Sequence, residues 1–267
     1  MELSQVIGYI LAVFVGMTLG MLGSGGSILS VPILVYVMGI EPSLATAYSL
    51  FVIGTTSLVG GIHKAKQRLV DFYKVILFGI PAVISVFVTR KMLVPKIPNI
   101  IFSTEYFTLT KSILIMVVFA FLMIFASVRM IKPLKEKIVT HNEKLNYYKI
   151  VVLGICIGLI SGFVGAGGGF LIVPTLLFFA KTPMKMAVGT SLFIVAAQSL
   201  IGFTGDIMSE QIIDWELLRF FTLASILGIF IGNFISKKVE DEKLKTSFGW
   251  FVLSMGIYII IRELFMS

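Results

Sequence analysis

The chain alternates between long apolar runs and short polar stretches. Ten apolar runs can be marked: Leu3–Leu22, Ser27–Ile40, Leu44–Ile62, Phe72–Arg90, Ser112–Ile131, Tyr148–Gly165, Gly169–Ala180, Met184–Thr204, Trp215–Ser236 and Thr246–Leu264. Eight approach the ~20 residues that a bilayer-spanning helix needs. The second and seventh are short: at ~1.5 Å per residue, Ser27–Ile40 covers about 20 Å of an apolar core about 30 Å thick. Each short run therefore starts or stops partway into the membrane, or folds back. The pattern predicts an all-α polytopic membrane protein.

The runs form two related halves. A shift of 142 residues places Gly16, Gly20, Gly23, Gly25 and Gly26 on Gly158, Gly162, Gly165, Gly167 and Gly168. The same shift pairs Pro32 with Pro174, Ser49-Leu-Phe51 with Ser191-Leu-Phe193, and Gly60 with Gly202. After one inserted residue, Val70-Asp71-Phe72 meets Ile213-Asp214-Trp215. Matched glycines, a proline and Ser-Leu-Phe in one register mark an internal repeat. The expected organisation is a membrane repeat over 1–131, a cytoplasmic connector over 132–147 and a second membrane repeat over 148–267. The stretch from Arg129 to Lys149 is the most polar of the chain.

Composition supports the membrane reading. Of 267 residues 57% are hydrophobic and 13% charged, with a mean hydropathy of +1.01. A soluble domain is usually about a quarter charged. The net charge of +8 would point to nucleic acid in a soluble protein. Here the basic residues lie in short loops between apolar runs, so they set topology. With all ten runs crossing and the connector cytoplasmic, the inner loops hold most of the basic residues. Arg90, Lys91, Lys96, Lys111 and Arg262, with the acidic loop from Asp206 to Glu216, fall outside. Ten crossings make five per half and predict inverted repeats with both termini outside. The first run lacks a positive leader and a small-residue cleavage site, and reads as an uncleaved helix. The single cysteine, Cys156, excludes a disulfide within the chain and reads as a small buried or lipid-facing residue.

The candidate chemistry lies in the glycine clusters Gly23-Ser-Gly-Gly-Ser27 and Gly165-Ala-Gly-Gly-Gly169. Irregular backbone at membrane depth is tolerated only where protein packs on it or a wet cavity borders it. A helix starting there points free N–H groups inward, and such a terminus attracts anions. Broken helices at matched positions of two halves are a pointer to a transporter's substrate site. Gly16, Gly20, Gly158 and Gly162 instead have the four-residue spacing of helix packing. The candidate substrate-binding residues are Gly23, Ser24, Gly25, Gly26, Ser27, Ser49, Gly165, Gly167, Gly168, Gly169, Ser191 and Gln198. For the polar groups of the third and eighth runs, ligand contact and interhelical hydrogen bonds both remain open. His63 is either a pH-sensitive gate or an interfacial histidine. Arg219 either snorkels to the interface or guides an anion inward. No metal site, cofactor or catalytic set is expected. Both histidines, His63 and His141, lie outside the bilayer core, and no carboxylate is expected at mid-membrane.

The Gly-x-Gly-Gly motif with its apolar run and Val-Pro, then Ala-x-x-x-Ser-Leu-Phe, His63 and Val70-Asp71, given twice in degenerate form, resembles the TauE/SafE family of sulfite and organosulfur-anion exporters. The resemblance runs from about Gly16 to Leu264. It implies a bacterial inner-membrane protein that moves small anions such as sulfite or sulfoacetate, outward. Lys66-Gln-Arg-Leu-Val-Asp71 lacks the glycine often seen before Val-Asp in that family. Gly205-Asp206 stands where the first half has His63-Lys64. A nucleotide-binding loop, Gly-x-x-x-x-Gly-Lys-Ser/Thr, is absent, so an ion gradient or the anion's own gradient would drive transport. The expected partners are a small anion and the bilayer, not nucleic acid; the oligomeric state is left open. An anion channel is the alternative, as is a carrier of another small organic anion.

Overall fold

The computed structural model describes residues 3–103, 108–131, 147–165, 167–180, 182–208, 213–236 and 241–265. The predicted connector up to residue 146, with His141, lies outside the described residues.

The helices are α1 (Leu3–Leu22), α2 (Ser30–Pro32), α3 (Pro42–Lys66), α4 (Phe72–Val88), α5 (Lys111–Ile131), α6 (Tyr147–Val164), α7 (Gly169–Phe178), α8 (Met184–Ile207), α9 (Trp215–Ile235) and α10 (Asp241–Phe265). The two short runs differ. In the second half, α7 is a plain helix opened by Gly168 in the left-handed conformation. In the first half the chain passes through a 3-10 helix, Gly23–Leu29, then α2, then a π-helical stretch, Ile33–Val37. The expected helix start after the first glycine cluster is therefore replaced by a tight coil. One feature was not expected at all. The loop before α5 carries a small antiparallel hairpin, β1 (Ile100–Ser103) with β2 (Thr108–Thr110), pairing Ile100 with Thr110. Its β-branched and aromatic residues favour strand geometry, but the runs are too short to stand out in an apolar chain.

Among the described residues, six stretches are long and apolar enough to cross a membrane: Ser4–Val37, Pro42–Lys66, Phe72–Leu93, Lys111–Val128, Met184–Ile207 and Trp215–Ile235. The protein is turned inside out relative to a soluble fold. Ile84, Phe121 and Leu227 face outward, while Ser49, Thr56, Gln198 and Ser225 are fully buried. Lipid favours apolar side chains on the rim, and polar groups shelter where protein surrounds them.

At the centre α3 and α8 run antiparallel. The rings of Phe51 and Phe203 lie 5.1 Å apart, Gly54 packs on Leu200, and Gly61 on Phe193. Around them the halves interlock. On α1, Gly16 lies against the backbone of Ser225 and Gly20 against Ile229 and Asn233 of α9. On α6, Gly158 lies against Ala82 of α4, and Gly162 against Val86 of α4 and Thr89 just beyond it. A side chain at any of these four positions would collide with the facing helix. α5 and α10 pack together, with Gly256 against Ile124.

Aspartates begin two of the helices for the same reason. Asp71 accepts the N–H of Lys74 at 3.2 Å and starts α4. Asp214 accepts the N–H groups of Glu216 and Leu217, each at 3.0 Å, and starts α9. A carboxylate there satisfies otherwise orphaned donors and suits the positive end of the helix dipole.

Candidate functional site

The two glycine clusters meet in the interior. Gly23 (φ +70°) turns the chain at the end of α1, and Gly165 (φ +75°), Gly167 (+66°) and Gly168 (+60°) turn it between α6 and α7. Side chains other than glycine rarely adopt this backbone region. Ser24 Oγ donates to the carbonyl of Gly169 at 2.9 Å. A Cβ on Gly169 would collide with the Ser24 carbonyl. The N–H of Ser24 reaches Ser191 Oγ at 3.5 Å, and that hydroxyl donates to Val188 O at 2.8 Å. Gln198 Nε2 donates to the carbonyl of Gly167 and reaches Ser161 Oγ at 3.4 Å. So Ser24, Gly169 and Ser191 form one group, and Gly167 and Gln198 a second.

The interior also holds buried polar atoms with no hydrogen-bond partner among the described residues. They are the hydroxyls of Ser27, Ser30, Ser49, Thr56, Ser57 and Ser199, and the Oε1 of Gln198. Leaving a buried donor or acceptor unmade costs about 1–3 kcal/mol each. A chain built only for packing would place alanine or valine at such positions.

Arg90 and Asp206 correct the sequence reading, which set both among the outer loops. Arg90 is 1% exposed and Asp206 3%. Arg90 Nη1 donates to Asp206 Oδ1 at 3.3 Å and to Thr46 Oγ1 at 3.1 Å. Gly165 lies against Arg90 Nη2. The helices run further than the apolar pattern indicated. A π-helical stretch, Thr89–Leu93, extends α4, and α8 continues to Ile207. Both charges thereby sit inside the bundle, near one end of α8. The available signal was a basic residue ending one apolar run and an acidic residue just past another; their pairing across 116 residues is a tertiary fact.

Other candidates stand apart. A Cβ on Gly25 would meet nothing closer than Leu22 at 3.9 Å, and Gly25 borders an apolar cavity of about 620 Å³, lined also by Phe125, Ile157 and Phe170. Gly26 packs tightly on Thr18. His63 sits half-buried at the end of α3, 2.9 Å from Gln67 and edge-on to Phe230. Arg219 is exposed and bonds the carbonyl of Trp215 at 3.2 Å. Cys156 is exposed on the outer face of α6. Among the described residues, no group of three or more His, Cys, Asp or Glu side chains stands together.

Long apolar helices, an apolar rim, a polar interior and two broken segments meeting within it define a polytopic membrane protein of the transporter class. Residues 9–259 match the family described as Sulfite exporter TauE/SafE, and the chain belongs to that family. It is 29% identical to a "Probable membrane transporter protein" of Xylella fastidiosa (strain 9a5c), over 93% of this chain and 92% of that protein. It is 26% identical to "Probable membrane transporter protein YunE" of Bacillus subtilis (strain 168), over 98% and 100% of the two chains. A relative in Haemophilus influenzae, also a "Probable membrane transporter protein", shares 26% over 92% of this chain and 94% of its own. No solved structure matches.

Proposed function

We propose that the protein is a secondary transporter that exports small anions, sulfite or organosulfonates, across a bacterial inner membrane, with its connector in the cytoplasm. The carrying observation is the junction of the two glycine breaks at Ser24 and Gly169, in an interior whose buried hydroxyls, Ser199 beside Gly167 among them, no described group satisfies. Such hydroxyls and the backbone of the breaks offer an oxyanion the donors that it loses on leaving water. The halves act as inverted repeats that rock about α3 and α8 to expose the anion to each side in turn. Their reciprocal packing, α1 on α9 and α6 on α4, supports that reading.

The test is flux. The purified protein is reconstituted in liposomes, and entry of labelled sulfite and sulfoacetate is followed with and without a pH gradient. Saturable entry is expected. Entry that stays linear in concentration, at channel rates, would favour a channel. No entry of any sulfur anion would remove this substrate class.

A further inference from the structure

Arg90 is fully buried, and its guanidinium is only partly used. A guanidinium carries five N–H donors in a planar fork. Among the described residues, Nη1 alone is engaged, by Thr46 and Asp206. Nε and Nη2 have no hydrogen-bond partner among the described residues. These two atoms form the side edge of the fork, whose parallel N–H groups match two oxygens of one oxyanion. Arg–carboxylate pairs are frequently bidentate, whereas Asp206 Oδ1 meets Nη1 and leaves that edge to other groups. The edge is bordered by Gly165, the first residue of the second break, where a Cβ would collide with Nη2. Lys111, at the start of α5, lies within electrostatic reach of both Arg90 and Asp206 and raises the local positive potential. The other half lacks the same pair. The repeat shift sets Asn233 at the position of Arg90 and Lys64 at the position of Asp206.

We propose that the Nε–Nη2 edge of Arg90 binds the transported oxyanion at this end of its path. Asp206 anchors the guanidinium through Nη1 and, by repulsion, hastens release of the anion. The inference rests on the anion-transport reading and deepens it. It also sets a selectivity: anions with two coplanar oxygens, sulfite, sulfonates and carboxylates, bind better than chloride, which cannot bridge both donors in the same way.

The experiment measures binding of sodium sulfite, sulfoacetate and chloride to the full-length protein in detergent, at constant ionic strength, by calorimetry and thermal stabilisation. Flux in liposomes is measured beside it. The variants are Arg90→Lys, Asp206→Asn and the charge-neutral Arg90→Gln/Asp206→Asn, which leaves no lone buried charge to unfold the chain. Arg90→Lys and the double variant are expected to weaken sulfite binding about tenfold or more, since two charge-assisted hydrogen bonds are lost. Asp206→Asn is expected to tighten binding and lower maximal flux. Chloride is expected to bind weakly to every form. Folded variants that bind sulfite as the parent does, with saturable flux intact, would overturn the role of Arg90 and leave the transport reading standing. A parent protein that binds and moves none of these oxyanions would overturn both.

Discussion

The phenolic oxygen of Tyr48, on α3, accepts a 2.6 Å hydrogen bond from the backbone N–H of Asp214, which begins α9. The hydroxyl of Thr190, on α8, accepts one of 3.0 Å from the N–H of Asp71, which begins α4. The repeat shift sets Tyr48 on Thr190 and Asp71 on Asp214. Each half thus fixes a helix start of the other through the same position. Removing either hydroxyl leaves a backbone donor unmet. Tyr48→Phe and Thr190→Val should each destabilise the protein by about 1 kcal/mol, and the double variant by about the sum, because the sites lie at opposite ends of the bundle. Thermal unfolding in detergent checks this.

The same contacts predict the topology. Asn99 lies in the loop at the Tyr48 end of the bundle, and Gln67 at the Thr190 end; both are exposed. In a Cys156→Ser background, Asn99→Cys and Gln67→Cys should react with a membrane-impermeant maleimide from opposite sides. Labelling of both from one side would refute five crossings per half.

Glycines of one motif should differ sharply in tolerance. Gly169→Ala places a methyl on the Ser24 carbonyl, and Gly167→Ala crowds Ser199 at 2.8 Å in a left-handed backbone. Both should lower the unfolding temperature and the flux. Gly25→Ala meets only Leu22 at 3.9 Å and should change stability by about 0.5 kcal/mol or less.

Ser49→Ala and Ser199→Ala remove hydroxyls that bond no described residue. Fold stability should hold or rise, while sulfite flux falls through a higher KM. Unchanged KM in both would take these hydroxyls out of the anion's path. A fall in stability would mean that they serve packing.

The N-cap of α4 is tied to the start of α8. Asp71 Oδ2 pairs with Lys74 Nζ at 3.2 Å, and that ammonium donates to Thr182 at 2.9 Å. Asp71→Ala should cost about 0.5–2 kcal/mol as a lost cap. Lys74→Met should cost less, since a partly exposed ion pair contributes little. Denaturation midpoints separate the two.

By itself the sequence determined the membrane class, the ten runs, the internal repeat and the two glycine breaks. Each of these is local or periodic: apolar length, charge placement and recurring glycines survive without any fold. Tertiary structure decided what those features meet. It set Ser24 on Gly169, opened a different backbone at each break, and turned Gly25 toward an apolar cavity. It also drew Arg90 and Asp206 inside. A residue at the end of an apolar run reads as a loop charge until the helix is seen to continue and a partner from the other half covers it. The burial that makes such a charge informative comes from contacts made across the whole chain.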